Sequence, residues 1–258
     1  MQHDIYEVKT SMYYPIGFGI KKGKKVYHYS YAGSALDPGM GAKFKDPQTV
    51  SQEAIGADAA AGSRSIVLTL DATDGPSYNG SLPKDYLKGG FVVVFAALGT
   101  FVREILSNTE VLAGGGTFTV TLDAPTPVAI TTSDVAEAIC SPYRCVVDAA
   151  HTKLGTGFSA TVGIPTCKAV AGNYLWLQTW GPCWVSPHAL VGASDSDQAV
   201  FFMGDGSFGD GNEDNPGGIK QGLEAQYAGF VIAADKGGGQ GAPFVMLQLD
   251  PDFDVAIS

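Results

Sequence analysis

Hydrophobic and polar positions along this chain change places every second residue, in short bursts cut by glycine and proline. In residues 24–31, KKVYHYSY, Tyr27, Tyr29 and Tyr31 alternate with Val26, His28 and Ser30. A period of two built from aromatic and β-branched residues predicts a strand. His28 is then a strand residue, since no second histidine or cysteine lies near it. Asp37-Pro38-Gly39 follows as a turn, with Pro38 presetting φ and Gly39 taking the positive φ. EAIGADAAAGS (53–63) is small and flexible, and reads as a short helix or a linker.

A β-rich block comes next. RSIVLTLDA alternates. GGFVVVF is a continuous apolar run, which predicts a strand buried on both faces. In GTFVREILS, Val102, Glu104 and Leu106 share one face. GTFTVTLDA, PVAI and SDVAEAICSPY complete the block, with Gly89-Gly90 and Gly114-Gly115-Gly116 between strands. Five or six short strands at this spacing suggest a small barrel or sandwich. VLTLDA (67–72) and TVTLDA (119–124) echo each other over six residues, which is matched strand chemistry rather than a repeat. Beyond Tyr143 turns and strands mix. Phe230–Ala233 and Pro243–Leu249 read as a hairpin around the turn KGGGQGAP.

NYLWLQTWGPCWV (173–185) holds all three tryptophans, Trp176, Trp180 and Trp184, four residues apart. A helix would align them, but Gly181-Pro182 breaks it, because proline removes a hydrogen bond and clashes. As a strand, Tyr174, Trp176, Gln178 and Trp180 share one face, and Leu175, Leu177 and Thr179 share the other. The Gly-Pro then turns the chain and a second extended piece begins. The tryptophans are candidates for core or subunit-interface aromatics, and also for a stacking platform for sugar rings.

Composition sharpens this picture. Charged residues make up 16% of the 258 residues, against roughly 25% in an ordinary soluble domain. With 34 glycines and 14 prolines, little room remains for long helices. So few charges suit a subunit that buries surface in an assembly. Net charge is −10 and uneven: residues 1–60 carry seven lysines and six acids, whereas residues 201–258 carry Lys220 and Lys236 against nine acids. A broad basic face for nucleic acid is excluded, because phosphate neutralisation needs clustered lysine and arginine. No apolar stretch approaches the roughly 20 residues of a membrane span. No signal peptide is read at the N-terminus, and manufacture in a reducing cytoplasm fits Cys140, Cys145, Cys167 and Cys183, which lack the spacing of a zinc site. Buried cysteines acting as small hydrophobes are expected.

No motif calls for a cofactor, and none for catalysis. GFGIKKGKK satisfies neither the P-loop nor the dinucleotide pattern. His3, His28, His151 and His188 fall in no nucleophile-elbow or zinc-protease motif. A glycosidase needs two carboxylates across a cleft, and nothing marks a pair. The acids of the loop Asp205 to Asp214 (Asp205, Asp210, Glu213, Asp214) do not follow calcium-loop spacing and read as a solvated loop.

The phrases VYHYSYAGSALDPGM, DYLKGGFVVVF with GTFVREILSN, TFTVTLDAPTPVAI, YLWLQTWGPCWV and AGFVIAADKGGGQGAPFVMLQLDP together resemble β-rich virion proteins of tailed bacteriophages. The resemblance covers nearly the whole chain as texture and short phrases, and carries no catalytic motif. It implies a capsid decoration or cement subunit, commonly a homotrimer, made in the bacterial cytoplasm and bound outside the shell to the major capsid protein. Met12, Tyr13, Tyr14, Ile16 and Phe18, followed by Lys21, Lys22, Lys24 and Lys25, then form a candidate docking arm. The same residues read equally as an ordinary first strand, and the lysines as a solvated turn. The expected fold is all-β, with an N-terminal arm and part of the main body in residues 1–58, a small barrel or sandwich in 59–145, and the rest of the body in 146–258. A carbohydrate-binding adhesin using the tryptophans is the rival from another class, and a hydrolase the third reading.

Overall fold

A computed structural model of the chain describes residues 4–45, 49–149, 159–187, 191, 198–209, 226–233 and 244–257. Every helix or strand among them is a strand, so the fold is all-β. The chain divides into two compact units: Met1–Lys45 with Tyr143–Ser258, and Asp46–Pro142.

The first unit opens with β1 (Gly19–Lys22), β2 (Lys25–Tyr31) and β3 (Ala42–Phe44). β1 and β2 form a hairpin in which Lys22 faces Lys25. Gly23 sits in its turn at φ +61°, a value glycine adopts without steric cost. The lysine run is therefore a hairpin turn. The Asp37-Pro38-Gly39 turn forms as expected, with Gly39 at φ +84°.

The second unit holds β4 (Val50–Ala57), β5 (Ser65–Leu70), β6 (Phe91–Ala96), β7 (Gly99–Asn108), β8 (Gly116–Leu122) and β9 (Val135–Ile139). They close into an antiparallel barrel in the order β4-β5-β8-β7-β6-β9. Closure removes the unpaired edges that an open sheet would expose. Alternate residues fill the interior, among them Ile66, Leu68 and Leu70 of β5, Val92 and Val94 of β6, and Phe118, Val120 and Leu122 of β8. The two echoing segments are neighbours, with Ser65–Leu70 paired along Thr121–Gly116.

The stretch beginning at Glu53 is neither helix nor linker, because β4 carries it as far as Ala57, paired on both sides by β5 and β9. Its small residues serve close packing: a Cβ at Gly56 would stand 2.8 Å from Val67 and 3.1 Å from Thr117. The run FVVVF is not buried on both faces. Val92 and Val94 point inward, while Phe91 and Phe95 are exposed and Val93 is half-buried. A barrel has one interior, so the outer parity of any of its strands needs a separate cover.

The chain returns to the first unit with β10 (Val146–Asp148), β11 (Thr161–Pro165), β12 (Tyr174–Cys183), β13 (Ala199–Phe202), β14 (Phe208–Gly209), β15 (Gln226–Ala233), β16 (Phe244–Gln248) and β17 (Val255–Ile257). The sheet runs β10-β3-β11-β12-β16-β15-β13-β14, with β2 on β12, β1 on β2 and β17 parallel to β1. β15 and β16 are the antiparallel pair that the sequence predicts. Gly181-Pro182 does not turn the chain. β12 runs straight through it, using its first half against β2 and its second against β16. The physical reason is a close crossing: a Cβ added at Gly181, whose φ is +96°, would overlap the Lys24 carbonyl oxygen and stand 3.0 Å from the Lys25 Cα, so no side chain fits there. On β12 the inward residues Cys183 and Leu177 join separate apolar clusters, and Trp176 a third.

Candidate docking surfaces

The N-terminal segment packs on its own unit before it can serve any partner. Lys9 and Tyr174 exchange backbone hydrogen bonds (2.9 and 2.8 Å), the Gly17 N–H donates to the Tyr29 carbonyl and the Tyr29 N–H to that of Phe18. Tyr14 stacks on Phe18 (5.6 Å between ring centres, 11° between planes) and meets Tyr29 edge-on at 5.2 Å. Trp176, 2% exposed, completes the nest, 5.3 Å from the Tyr14 ring. Ile16 packs on the same cluster. Of the candidate arm, Met12 and Tyr13 are left exposed. Lys22 and Lys24 project into solvent, Lys25 is half-buried, and the Lys21 ammonium lies 5.1 Å from the Phe253 ring centre.

The three tryptophans separate. Trp176 is core, whereas Trp180 and Trp184 lie on the outward face of the first unit, half-buried and exposed respectively. Register builds that face row by row. Trp180 pairs with Gln248, whose side-chain oxygen accepts from the Tyr227 hydroxyl at 3.1 Å. Tyr227 pairs in turn with Phe201, ring against ring at 5.8 Å. Pro182 pairs with Met246 and Met246 with Phe230. Trp184, Phe244 and Ile232 extend the face further. Beneath it, Cys183, Val245, Leu247, Val200 and Ala228 form the core. No Asp, Glu, Lys or Arg occurs among these outward residues. An antiparallel sheet facing water normally alternates apolar-in with polar-out; here both parities are apolar. The sequence carried that signal in FVMLQ and AGFVIA, where consecutive positions, not alternate ones, are hydrophobic.

The second unit has an outward face of different character. Across β9, β6 and β7, Ile139, Phe91 and Glu104 align, then Glu137, Val93 and Val102, then Val135, Phe95 and Thr100. Phe91, Phe95, Val102 and, further along β7, Leu106 are exposed. The apolar patch is studded with two carboxylates.

The polar cluster with most buried chemistry is His28. Its ring stacks on Tyr143 (4.5 Å, 2°). The Thr179 hydroxyl donates to the Asp250 carbonyl at 2.7 Å, so it must accept from His28 Nδ1–H at 3.0 Å. Nε2 then bears the lone pair, 3.6 Å from the Asp250 carboxylate, to which the Tyr143 hydroxyl donates at 2.8 Å. Burial lowers the imidazole pKa below its ordinary value and outweighs the opposing pull of Asp250, Asp254 and Asp252. The Nε2–Asp250 contact is therefore with a neutral ring at pH 7. Thr179 is fully buried, so no substrate reaches its hydroxyl. The cluster ties the C-terminal segment to β2 and β12.

A pH dependence follows from linkage. Below about pH 6.5, the ordinary imidazole value, the unfolded chain binds a proton at His28 that the native ring resists. Stability should fall as pH drops through that value towards the lowered native one, then level off; above it His28 contributes nothing. Urea midpoints between pH 7.5 and pH 5 measure this, and His28→Gln should flatten that part of the profile. An unchanged slope in the variant removes His28 as the cause.

Among the described residues no group of three His, Cys, Asp or Glu side chains stands where it could hold a metal ion. Asp205 accepts from the Ser207 N–H and hydroxyl (3.0 and 2.6 Å) in a local turn. Asp210, Glu213 and Asp214 of the same loop, and His3, His151 and His188, lie outside the described residues. Cys140 and Cys183 are buried, and burial pushes the Cys183 thiol up to about 12. No helix among the described residues is long and apolar enough to cross a membrane. Comparison of the chain with protein-family models, with curated proteins and with solved structures finds no match.

Proposed function

We propose that this chain is a structural subunit of a bacteriophage virion, a decoration or cement protein bound to the outside of the capsid lattice. The observation that carries the reading is that each of its two units presents an outward apolar sheet face. Large exposed apolar patches mark interaction sites in folded proteins. One such face on each unit gives the chain two apolar surfaces to offer, and contacts linked within one chain gain by effective concentration what each lacks in strength. The closed barrel suits this role, because it offers side chains to a partner without unpaired strand edges. The face with Glu104 and Glu137 is the one assigned to the capsid protein, since carboxylates in an apolar field give register and discriminate among partners.

The test uses purified heads that lack this chain. The protein should cosediment with them and raise the temperature at which they rupture, and Phe91→Glu should weaken the binding at least tenfold. Failure to cosediment sinks the reading. The exposed Trp184 beside Phe244 and Ile232 favours a second reading, a virion adhesin that stacks sugar rings; glycan-array binding lost in Trp184→Ala would support it.

A further inference from the structure

We infer that the uncharged outward face of the first unit pairs with the same face of a second copy of this chain. The inference deepens the structural reading above and rests on it only for its biological setting.

Three observations select the occupant. The first is charge. The chain carries net −10, so two copies repel one another at most approaches. Among the described residues, the outward positions of β12, β16, β15 and β13 hold no ionised side chain, so copies meeting through these positions set none of their charges against one another. A partner recognised by complementary charge would find nothing to read. The second is area. Trp184, Tyr227, Phe230, Ile232 and Phe244 are 41–57% exposed. With an aromatic side chain presenting roughly 150–250 Å², these five carry on the order of 400–500 Å². With the half-buried Trp180, Pro182 and Met246 around them, the face clears the about 500 Å² per partner that a specific interface needs. The third is shape. Sheets pack face to face about 10 Å apart with interdigitating side chains, and the inner side of this sheet already gathers Cys183, Val200, Ala228, Val245 and Leu247 into one buried apolar cluster. A two-fold contact needs one self-complementary patch, and aromatic and aliphatic side chains free of directional polar groups meet that condition.

The experiment uses the full chain, and the three tryptophans make it site-specific. Sedimentation equilibrium should give a mass rising with concentration from 26.8 kDa to twice that value. Acrylamide quenching should fall about twofold over the same range, as Trp184 and Trp180 become covered; Trp176 is buried already and stays silent. Phe244→Glu, at an exposed position, should keep the monomer's thermal midpoint and weaken pairing at least tenfold. A wild-type chain that stays monomeric at every concentration overturns the inference. So does a dimer whose quenching does not change, because its contact lies elsewhere, and this wild-type measurement holds even if the variant fails to fold. Quenching relieved by an added polysaccharide at constant monomer mass overturns it in favour of a sugar ligand. Pairing without binding to phage heads sinks the virion reading and leaves the face contact standing; head binding by a monomer does the reverse.

Discussion

Gly90→Ala should unfold the barrel unit or leave it marginal, at a cost of about 3 kcal/mol or more. Gly90 lies where the chain enters β6, donating its N–H to the Leu87 carbonyl (2.9 Å) and accepting from the Ile105 N–H (2.8 Å). A Cβ there would overlap the Ile139 carbonyl oxygen and stand 2.7 Å from the Cys140 Cα and carbonyl carbon. These are backbone atoms of the chain leaving β9, the strand paired with β6, so no side-chain rotamer relieves the collision. The strands must part, and parting them opens a closed barrel. Ordinary overpacking in a core costs about 1–3 kcal/mol; a rigid backbone obstacle belongs at or above that range. All three tryptophans lie in the other unit, so their fluorescence is blind to this event. Amide exchange resolved by residue is the measurement: Val92, Val94, Ala136 and Ala138 should lose protection. Protection within about 0.5 kcal/mol of the parent, the scatter of neutral surface changes, would show that the entry to β6 can shift.

Trp176→Ala should cost about 3–5 kcal/mol, the range for removing a large buried aromatic, whereas Trp184→Ala should cost below about 1 kcal/mol. Trp176 is 2% exposed, and Tyr14, Phe18 and Tyr29 pack on its ring. Without it the N-terminal segment loses the surface it lies on, so Tyr14 and Phe18 should become exposed as well. Trp184 is 43% exposed and touches the turn at Gly39. Urea unfolding followed by far-ultraviolet circular dichroism compares the two. Equal losses would mean that the outward face is part of the first unit's core.

Much of the fold is legible in the residues. The period of two locates β2, β5, β7 and β8, and in the last three it does so because a strand with one buried side has to alternate; β15 and β16 show instead as short apolar runs on either side of a glycine-rich segment. The even parity of Val102, Glu104 and Leu106 is outward. What the period does not supply is which strands neighbour one another. β4 is poor in strand-forming residues, and from Glu53 onward its sequence reads as a short helix or a linker. It is a strand because β5 and β9 supply hydrogen bonds on both sides and Gly56 fits beneath Val67 and Thr117. Gly181-Pro182 carries a turn signal, and a local preference of this kind gives way where β12 is paired with β2 up to Trp180 and with β16 from Trp180 to Cys183. Sequence spacing placed the three tryptophans together; position relative to the core separated them, since Trp176 faces the N-terminal segment and Trp184 faces out.

Burial is the quantity that divides the two kinds of knowledge. Alternation, turn residues and the low charge content are local properties of the chain, so the sequence by itself determined an all-β molecule with short strands and little ionic surface. Whether a hydrophobic residue is covered depends on what lies across from it, which distant parts of the chain supply. Only the tertiary structure decided that Phe91, Phe95, Phe230, Ile232 and Phe244 point outward, because one core can cover one side of a sheet and the other side waits for a second surface.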